Sequence, residues 1–319
     1  MKIDSNKIEK IIKTSSNIVI TAHKDLDLDA LGSMLGFYYV STNYDKKACL
    51  LVEDTTFELG VETALSNIEK KGLNIIINKL SEIKINKDTL LVILDTNKKE
   101  RIQNEAAFSK IKNRIVIDHH IKEKTNESEY LYCYINENES SGSEIVTDLL
   151  VDLNIYIPSY AASIMLSGIM VDTNRFYLKT TKNTFDAAST LKKLGASIND
   201  IQYLFKEDFN NYIKIQNIIK ETTFITEDIV LSIANGICDN EELAKAADTM
   251  LTFNYVEASF VIGYLSKNKI GISARSLGKI DVQKIMKRLN GGGHKTDAAT
   301  QIQNSNLSEV KKLLLNALK

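Results

Sequence analysis

The chain has 319 residues, of which 44% are hydrophobic and 25% charged, and 40 basic against 41 acidic side chains leave a net charge of -1. That balance excludes a protein that grips nucleic acid through bulk positive charge, though not one with a local basic pocket. It also excludes a disordered chain, and the length suits about two domains.

The first twenty residues carry Asp4, Glu9, Lys10 and Lys13 and lack the apolar core of a secretion signal. Residues 18–22, 48–52, 90–94 and 114–117 are short apolar runs bounded by polar residues, which read as buried strands of a mainly parallel sheet. Between the first two, Leu31, Met34, Leu35, Tyr38 and Tyr39 repeat at helical spacing, predicting a helix over 30–43 with Asp29 as its N-cap. Gly32 and Gly36, four apart, are expected to let that helix pack closely on the sheet. Alternating strand and helix predicts a layered α/β domain.

From residue 143 to 221 the pattern is almost wholly helical, with Pro158 in the first turn of a helix over 158–169. The longest uncharged apolar stretch, 161–171, is too short to cross a membrane, which takes about 20 residues. Residues 229–235, 256–265 and 269–275 read as strands, the last two joined by a turn at Lys267-Asn268. Helices are expected over 281–289 and 307–318. The expected architecture is an α/β domain with a helical connector, residues 1–222, followed by a smaller α+β domain, residues 223–319. Cys49, Cys133 and Cys238 are odd in number and far apart, so reduced structural thiols are expected, neither a disulfide framework nor a zinc site. The default location is the cytoplasm.

The four histidines, His23, His119, His120 and His294, each lie at a predicted strand end or beside a glycine cluster. His23 opens the segment His23-Lys24-Asp25-Leu26-Asp27-Leu28-Asp29 directly after the first strand. In an open parallel sheet, sites lie beyond the carboxyl ends of strands. Three carboxylates in seven residues repel one another unless a cation sits among them, the alternative being a solvated acidic loop that caps a helix. Asp95 ends the run 90–94, where a turn residue is the plain alternative. Asp118-His119-His120 ends the run 114–117. Adjacent side chains of an extended segment diverge, so His119 and His120 should have different jobs, with Asp118 orienting an imidazole. Asp172 follows the apolar run that ends at Val171, where the polar end of a buried helix is the alternative. Taken together, imidazole and carboxylate ligands without thiolates suit Mn²⁺ or a similar divalent ion, and this many carboxylates suits two ions. Two ions about 3.5–4 Å apart clamp the attacking and leaving oxygens of a phosphoryl transfer.

These motifs in this order resemble the DHH phosphoesterase superfamily, which includes RecJ-like nucleases, nanoRNases and cyclic-di-AMP phosphodiesterases. Asp118-His119-His120 is the triplet that gives the family its name, and His23, Asp27, Asp29, Ala30 and Gly32 match its first motif. The usual Asn-Pro before the first of those acids is Asp25-Leu26 here, which alters the loop and leaves the ligand types in place. The resemblance implies one metal held by His23, Asp27 and Asp95, and a second held by Asp29, Asp95, His119 and Asp172. Asp95 then bridges both, and His120 contacts the scissile phosphate or assists the leaving oxygen. Mn²⁺ is the implied ion, with Mg²⁺ or Co²⁺ as alternatives.

The resemblance continues into the DHH-associated C-terminal domain through Arg275-Ser276 and Asn290-Gly291-Gly292-Gly293-His294. It implies a substrate clamp of Ser273, Arg275, Gly291, Gly292, Gly293 and His294, where a flexible turn is the plain reading of the glycines alone. Three glycines allow close backbone approach to a phosphate or sugar. The segments at 184–189, 256–263, 271–278 and 281–286 are most similar to the cyclic-di-AMP phosphodiesterase branch. There the two domains usually follow a membrane anchor, a sensory domain and a degenerate cyclase-like domain. This sequence starts almost directly at the first strand, so a catalytic pair without them is expected. The implied reaction is hydrolysis of cyclic-di-AMP to linear pApA. The alternatives are trimming of nanoRNA or pApA, dephosphorylation of pAp, or nucleotide binding without catalysis. No G-x-x-x-x-G-K-[ST] loop occurs, and no interleaved basic and aromatic platform for a long strand. The expected partner is therefore a cyclic dinucleotide or short oligonucleotide, not long nucleic acid or a membrane. A homodimer is implied by the resemblance only.

Overall fold

A computed structural model describes residues 2–122 and 126–319. The chain divides into two compact units, Met1–Lys206 and Glu207–Lys319. In chain order the first unit holds α1 (Ser5–Thr14), β1 (Asn17–Thr21), α2 (Leu28–Thr42), β2 (Lys47–Leu51), α3 (Leu59–Ile68), β3 (Ile77–Asn78), β4 (Thr89–Leu94) and α4 (Glu105–Lys110). It continues with β5 (Asn113–Asp118), β6 (Tyr132–Ile135), α5 (Gly142–Asp152), α6 (Ser159–Asp172), α7 (Lys182–Lys193) and α8 (Ile198–Leu204).

The six strands pair in the order β3-β2-β1-β4-β5-β6, and every pairing is parallel. Alternate residues serve two cores. Ile18, Ile20, Leu90, Val92, Ile115 and Ile117 pack with α1, α2, α5 and α6. Val19, Leu91, Ile93 and Val116 pack on the other face with Ala107 and Phe108 of α4. A strand covered on both faces has no polar side, which is why each reads as an unbroken apolar run. The chain moves outward from β1 to β3, then returns to β4 beside β1 and builds the other half. The reversal opens a crevice at the carboxyl ends of β1 and β4.

Helix α2 is buried on nearly every side. Its N-cap is Asp27, whose side chain accepts from the Ala30 amide, and not Asp29, which lies in the first turn. The cap shifts because the helix starts two residues earlier than the apolar spacing indicates. The two glycines also serve a different neighbour from the one expected. A Cβ on Gly32 would lie 2.9 Å from Met165 Cα and 2.7 Å from Ser143 Oγ, and one on Gly36 would strike the Met165 and Val146 side chains. The close approach is therefore between α2 and helices α5 and α6, not onto the sheet. Helix α6 takes Pro158 as its N-cap and runs on to Asp172.

The second unit holds α9 (Phe209–Lys220), β7 (Thr223–Phe224), β8 (Ile229–Ile237), α10 (Asn240–Met250), β9 (Ala258–Ser266) and β10 (Lys269–Ser276). Then come α11 (Val282–Lys287), β11 (Gly292–Gly293), β12 (Asp297–Gln303) and α12 (Leu307–Ala317). The sheet order is β11-β12-β10-β9-β8-β7, antiparallel throughout except for β8 with β9. Phe260, Ile262, Ile272 and Ala274 face α11 and α12, while Val230 and Val261 face α9 and α10. Of the elements outside the sequence expectations, α10 and β12 matter most, because both flank β10. Among the described residues, no helix is long and apolar enough to cross a membrane.

Replacing Gly32 by Val should lower stability by about 1–3 kcal/mol, because the α6 backbone must move. The urea midpoint reads this, and an unchanged midpoint would contradict the close packing of α2 on α6.

Candidate metal centre and ligand strand

His23 follows β1 and pairs with Ile102 in an isolated antiparallel bridge. Its Nδ1 lies 2.7 Å from the Lys24 carbonyl, so Nδ1–H donates there and Nε2 is left facing the acids. Nε2 is 3.2 Å from Asp95 Oδ2 and 3.6 Å from Asp27 Oδ2. Asp27 divides its work: Oδ1 caps α2, and Oδ2 turns to His23.

Asp95 follows β4 at φ 56°, the left-handed region that Asp tolerates better than most residues, and is 2% exposed. Its second oxygen, Oδ1, lies 3.0 Å from His119 Nε2, which in turn is 3.1 Å from Asp172 Oδ2. Asp95 thus stands between two imidazoles, one on each oxygen. Asp172 reaches the group from the last residue of α6.

Asp29 is fully buried and takes two backbone donors from the start of α5: Gly142 N to Oδ2 at 2.6 Å and Ser143 N to Oδ1 at 2.9 Å. The partial positive charge of a helix N-terminus favours a carboxylate there. Asp118 is also fully buried. Its Oδ1 accepts from the His119 and His120 amides and lies 2.8 Å from His120 Nδ1. Its Oδ2 accepts from Asn97 Nδ2. Asp118 is therefore consumed in orienting His120, whose side chain is 44% exposed.

The rings of His119 and His120 do not diverge as an extended segment would require; their centroids are 4.3 Å apart. Strand β5 ends at Asp118, and both following amides fold back onto its carboxylate, turning both rings into the crevice.

Burial opposes the charged form of His23, but the Asp27 and Asp95 carboxylates outweigh it and push the imidazole up to about 11. Burial opposes charge on His119 too, and Asp172 and Asp95 again raise it. Burial, then Asp95 and Asp172, raises Asp29 well above the usual carboxylate range. For Asp95 the two imidazoles overcome burial and hold the carboxyl low. These acids call for positive charge, which protons on the imidazoles supply when no metal does.

Three groups of donor atoms converge closely enough to hold a cation: His23, Asp27 and Asp95; Asp29, His119 and Asp172; and Asp95, Asp118, His119 and His120. Asp95 Oδ1 and both ring nitrogens of His119 are buried without a hydrogen-bond partner. Nitrogen and oxygen donors that converge this closely, with no thiolate, fit divalent ions of the Mn²⁺ or Mg²⁺ type.

In the second unit, Ser273 and Arg275 lie two apart on the α10 face of β10. Arg275 Nε donates to Asp248 Oδ1 of α10 at 2.9 Å, and Nη1 donates to Ser273 Oγ at 3.3 Å. Register carries the line across the sheet: Ser273 is opposite Ala299, and Ala299 is opposite Gly292. At about 4.8 Å per strand, the glycine segment lies about 10 Å from Ser273. A Cβ on Gly291 would fall 2.3 Å from the Ala299 carbonyl, and one on Gly293, at φ 134°, would fall 2.4 Å from the Asp297 carbonyl; Gly292 faces open space. The His294 amide donates to the Asp297 carbonyl at 2.6 Å. Gly292 and Gly293 pair with Ala299 and Ala298 as the short, exposed strand β11, and the Gly291 amide donates to the Met286 carbonyl.

Sequence reasoning missed Asn97, Asp248 and the α5 amides. Asn97, two residues past Asp95 at a strand end, carried a legible polar signal. The amides carried none, because a backbone donor has no residue type.

Residues 17–169 match the DHH family, N-terminal domain, and residues 222–319 match the DHHA1 domain. The chain carries both and belongs to the DHH family. It is 34% identical over 99% of its length to the cyclic-di-AMP phosphodiesterase GdpP of Bacillus subtilis, covering 50% of that protein. It is 25% identical over 95% of its length to the bifunctional oligoribonuclease and PAP phosphatase NrnA of Thermus thermophilus, covering 89% of it. Both relatives are named as hydrolases of phosphate esters. The crystal structure of an exopolyphosphatase-related protein from Bacteroides fragilis shares the fold, with TM-score 0.80 at 21% identity over 98% of this chain and 95% of that one. The chain spans about half the length of the cyclic-di-AMP phosphodiesterases it matches.

Metal and protons compete for the His23 and His119 nitrogens, so a divalent ion must displace protons at neutral pH. Calorimetry of Mn²⁺ binding at pH 7.5 should give enthalpies that follow the ionisation enthalpy of the buffer, with affinity rising from pH 6 to 9. Buffer-independent enthalpies would show neutral imidazoles. In chelated protein, the charged His23 stabilises the fold below its unfolded value of 6.5, and this contribution is lost as pH rises through about 11.

Proposed function

We propose that the chain is a metal-dependent phosphodiesterase that opens cyclic-di-AMP to linear pApA. The chemistry rests on one observation: the loop after β1 and the end of β5 bring imidazoles to the two oxygens of buried Asp95, and His119 is shared with a second group that holds Asp29 and Asp172. The substrate rests on the likeness to a cyclic-di-AMP phosphodiesterase over nearly the whole chain.

In this reading His23, Asp27 and Asp95 hold one ion, and Asp29, Asp95, His119 and Asp172 hold the other. The ions are Mn²⁺, with Mg²⁺ or Co²⁺ as substitutes. Such a pair, when bound, eases deprotonation of water and stabilises charge on the attacking and leaving oxygens. The protein's own groups do the rest. Asp118 accepts from His120 Nδ1, which leaves Nε2 at the exposed edge of the ring. An Nε2 that carries a proton would there donate to the scissile phosphate or pass that proton to the departing 3′ oxygen, and would regain one from the attacking water. Water adds to phosphorus as the bond to that oxygen breaks, and the oxygen leaves with a proton. Arg275 pairs with a phosphate oxygen through the guanidinium edge that Asp248 does not occupy, and the exposed Gly292-Gly293 segment, without side chains, lets a nucleotide approach closely.

A second reading keeps the chemistry and changes the substrate to pApA, nanoRNA or pAp. It is favoured by the likeness to a bifunctional oligoribonuclease and PAP phosphatase across most of that relative's length.

Purified protein with Mn²⁺ should convert cyclic-di-AMP to pApA rapidly and lose pApA slowly, as resolved by chromatography over time. Rapid pApA cleavage with an inert cyclic dinucleotide would establish the second reading instead. Asp95→Ala should abolish turnover, and His120→Ala should lower kcat by about 10²–10⁴-fold while metal stoichiometry holds. Near-normal activity in Asp95→Ala would end the two-metal assignment.

A further inference from the structure

We propose that Gln103 is a positioning residue for one of the two cation sites, acting on the loop that carries His23 and Asp27. The inference rests on the two-ion reading above and adds a residue that touches neither ion nor substrate.

Gln103 lies between β4 and α4 and is buried. Its backbone runs beside the loop: Gln103 N donates to the Ala22 carbonyl at 3.0 Å, and Lys24 N donates to the Arg101 carbonyl at 2.6 Å. The side-chain amide is fully committed. Oε1 accepts from Glu53 N at 2.8 Å and Asp54 N at 3.1 Å. Nε2 donates to the His23 carbonyl and to Asp54 Oδ2, both at 2.7 Å. Asp54 Oδ2 also accepts from Leu26 N at 3.0 Å, inside the same loop.

Only one orientation of the amide satisfies this set. Flipped, it would turn N–H toward two N–H donors and oxygen toward a carbonyl and a carboxylate. One side chain therefore ties together the segments leaving β1, β2 and β4. The loop needs such a strap, because it passes through Asp25 at φ 58° before reaching Asp27. Without it, the His23 carbonyl loses a buried donor, and Leu26 keeps only an untethered Asp54.

The effect should be local. His23 and Asp27 ride on this loop. Asp29, His119 and Asp172 are carried by the body of α2, by the end of β5 and by α6, and Asp29 is held by the α5 amides. A residue that merely stabilises the fold would loosen both groups alike. A residue that positions one loop should weaken one ion and spare the other.

The test is a Mn²⁺ titration of the full chain, reading free ion and the spin-coupled pair by electron paramagnetic resonance. Gln103→Met keeps volume and removes every side-chain hydrogen bond. Gln103→Glu keeps an acceptor for the amides of residues 53 and 54 but sets a carboxylate against the His23 carbonyl and Asp54. It serves if the first variant does not fold. In either variant one ion should bind at least about tenfold more weakly, as seen for groups that orient metal ligands, with the other within about threefold. The coupled signal should fade at Mn²⁺ concentrations that saturate the unaltered chain. Equal weakening of both ions, or no weakening, would overturn the inference while two ions in the unaltered chain upheld the two-ion reading. Fewer than two ions in the unaltered chain would overturn that reading, and this inference with it.

Discussion

The structure turns on the burial of negative charge. Asp29, Asp95, Asp118 and Asp172 gather at one crevice, three of them almost without solvent. Unanswered carboxylates in such a place would cost several kcal/mol each. Every neighbouring element supplies an answer. Two imidazoles flank Asp95, two α5 amides hold Asp29, and the 119–120 turn with Asn97 holds Asp118. Asp95 Oδ1 and Asp172 Oδ2 both crowd His119 Nε2, at 3.0 and 3.1 Å, where donors from β4, β5 and α6 meet. Two carboxylates on one imidazole nitrogen, within groups of donors that converge closely enough for a cation, are what mark the place as a candidate cation site.

The same demand explains the helix packing. For α5 to aim its first amides at Asp29, α2, α5 and α6 must lie unusually close together. Gly32 and Gly36 permit it, and the serine and alanine content of α6 keeps the facing surface small. Core packing and site geometry are thus one problem here. A larger side chain on α2 would disturb the carboxylate through the backbone of its neighbours, without touching it.

The second unit solves a different problem. Its sheet carries Arg275 on β10 and the glycines on β11, with β12 between them, and leaves the arginine paired. Alternation along β10 sends Ile272 and Ala274 to one core and Ser273 and Arg275 to the α10 face, where Asp248 takes Nε. Antiparallel register through β12 then carries the glycines alongside.

Most of the first unit was legible because its physics is local. Strands covered on both faces must be apolar throughout, and the polar residues that end them stand out, so His23, Asp95 and Asp118-His119-His120 could be read directly. Helix α10 was legible in principle: Asp239 and Glu242 form a capping box, and Leu243, Ala246, Ala247 and Met250 follow at helical spacing. By itself the sequence determined the strand runs, the residue types at their ends and the spacing that pairs Asp27 with Asp29. Tertiary structure alone decided that Asp27 caps the helix while Asp29 is buried, that Asp118 gives its other oxygen to Asn97, and that the glycines of α2 meet α5 and α6. It also decided that Gln103, an ordinary polar residue in a loop, joins three strand ends. The reason is that these depend on which segments the reversal of strand order brings side by side, and on backbone amides, which every residue carries and no residue type announces.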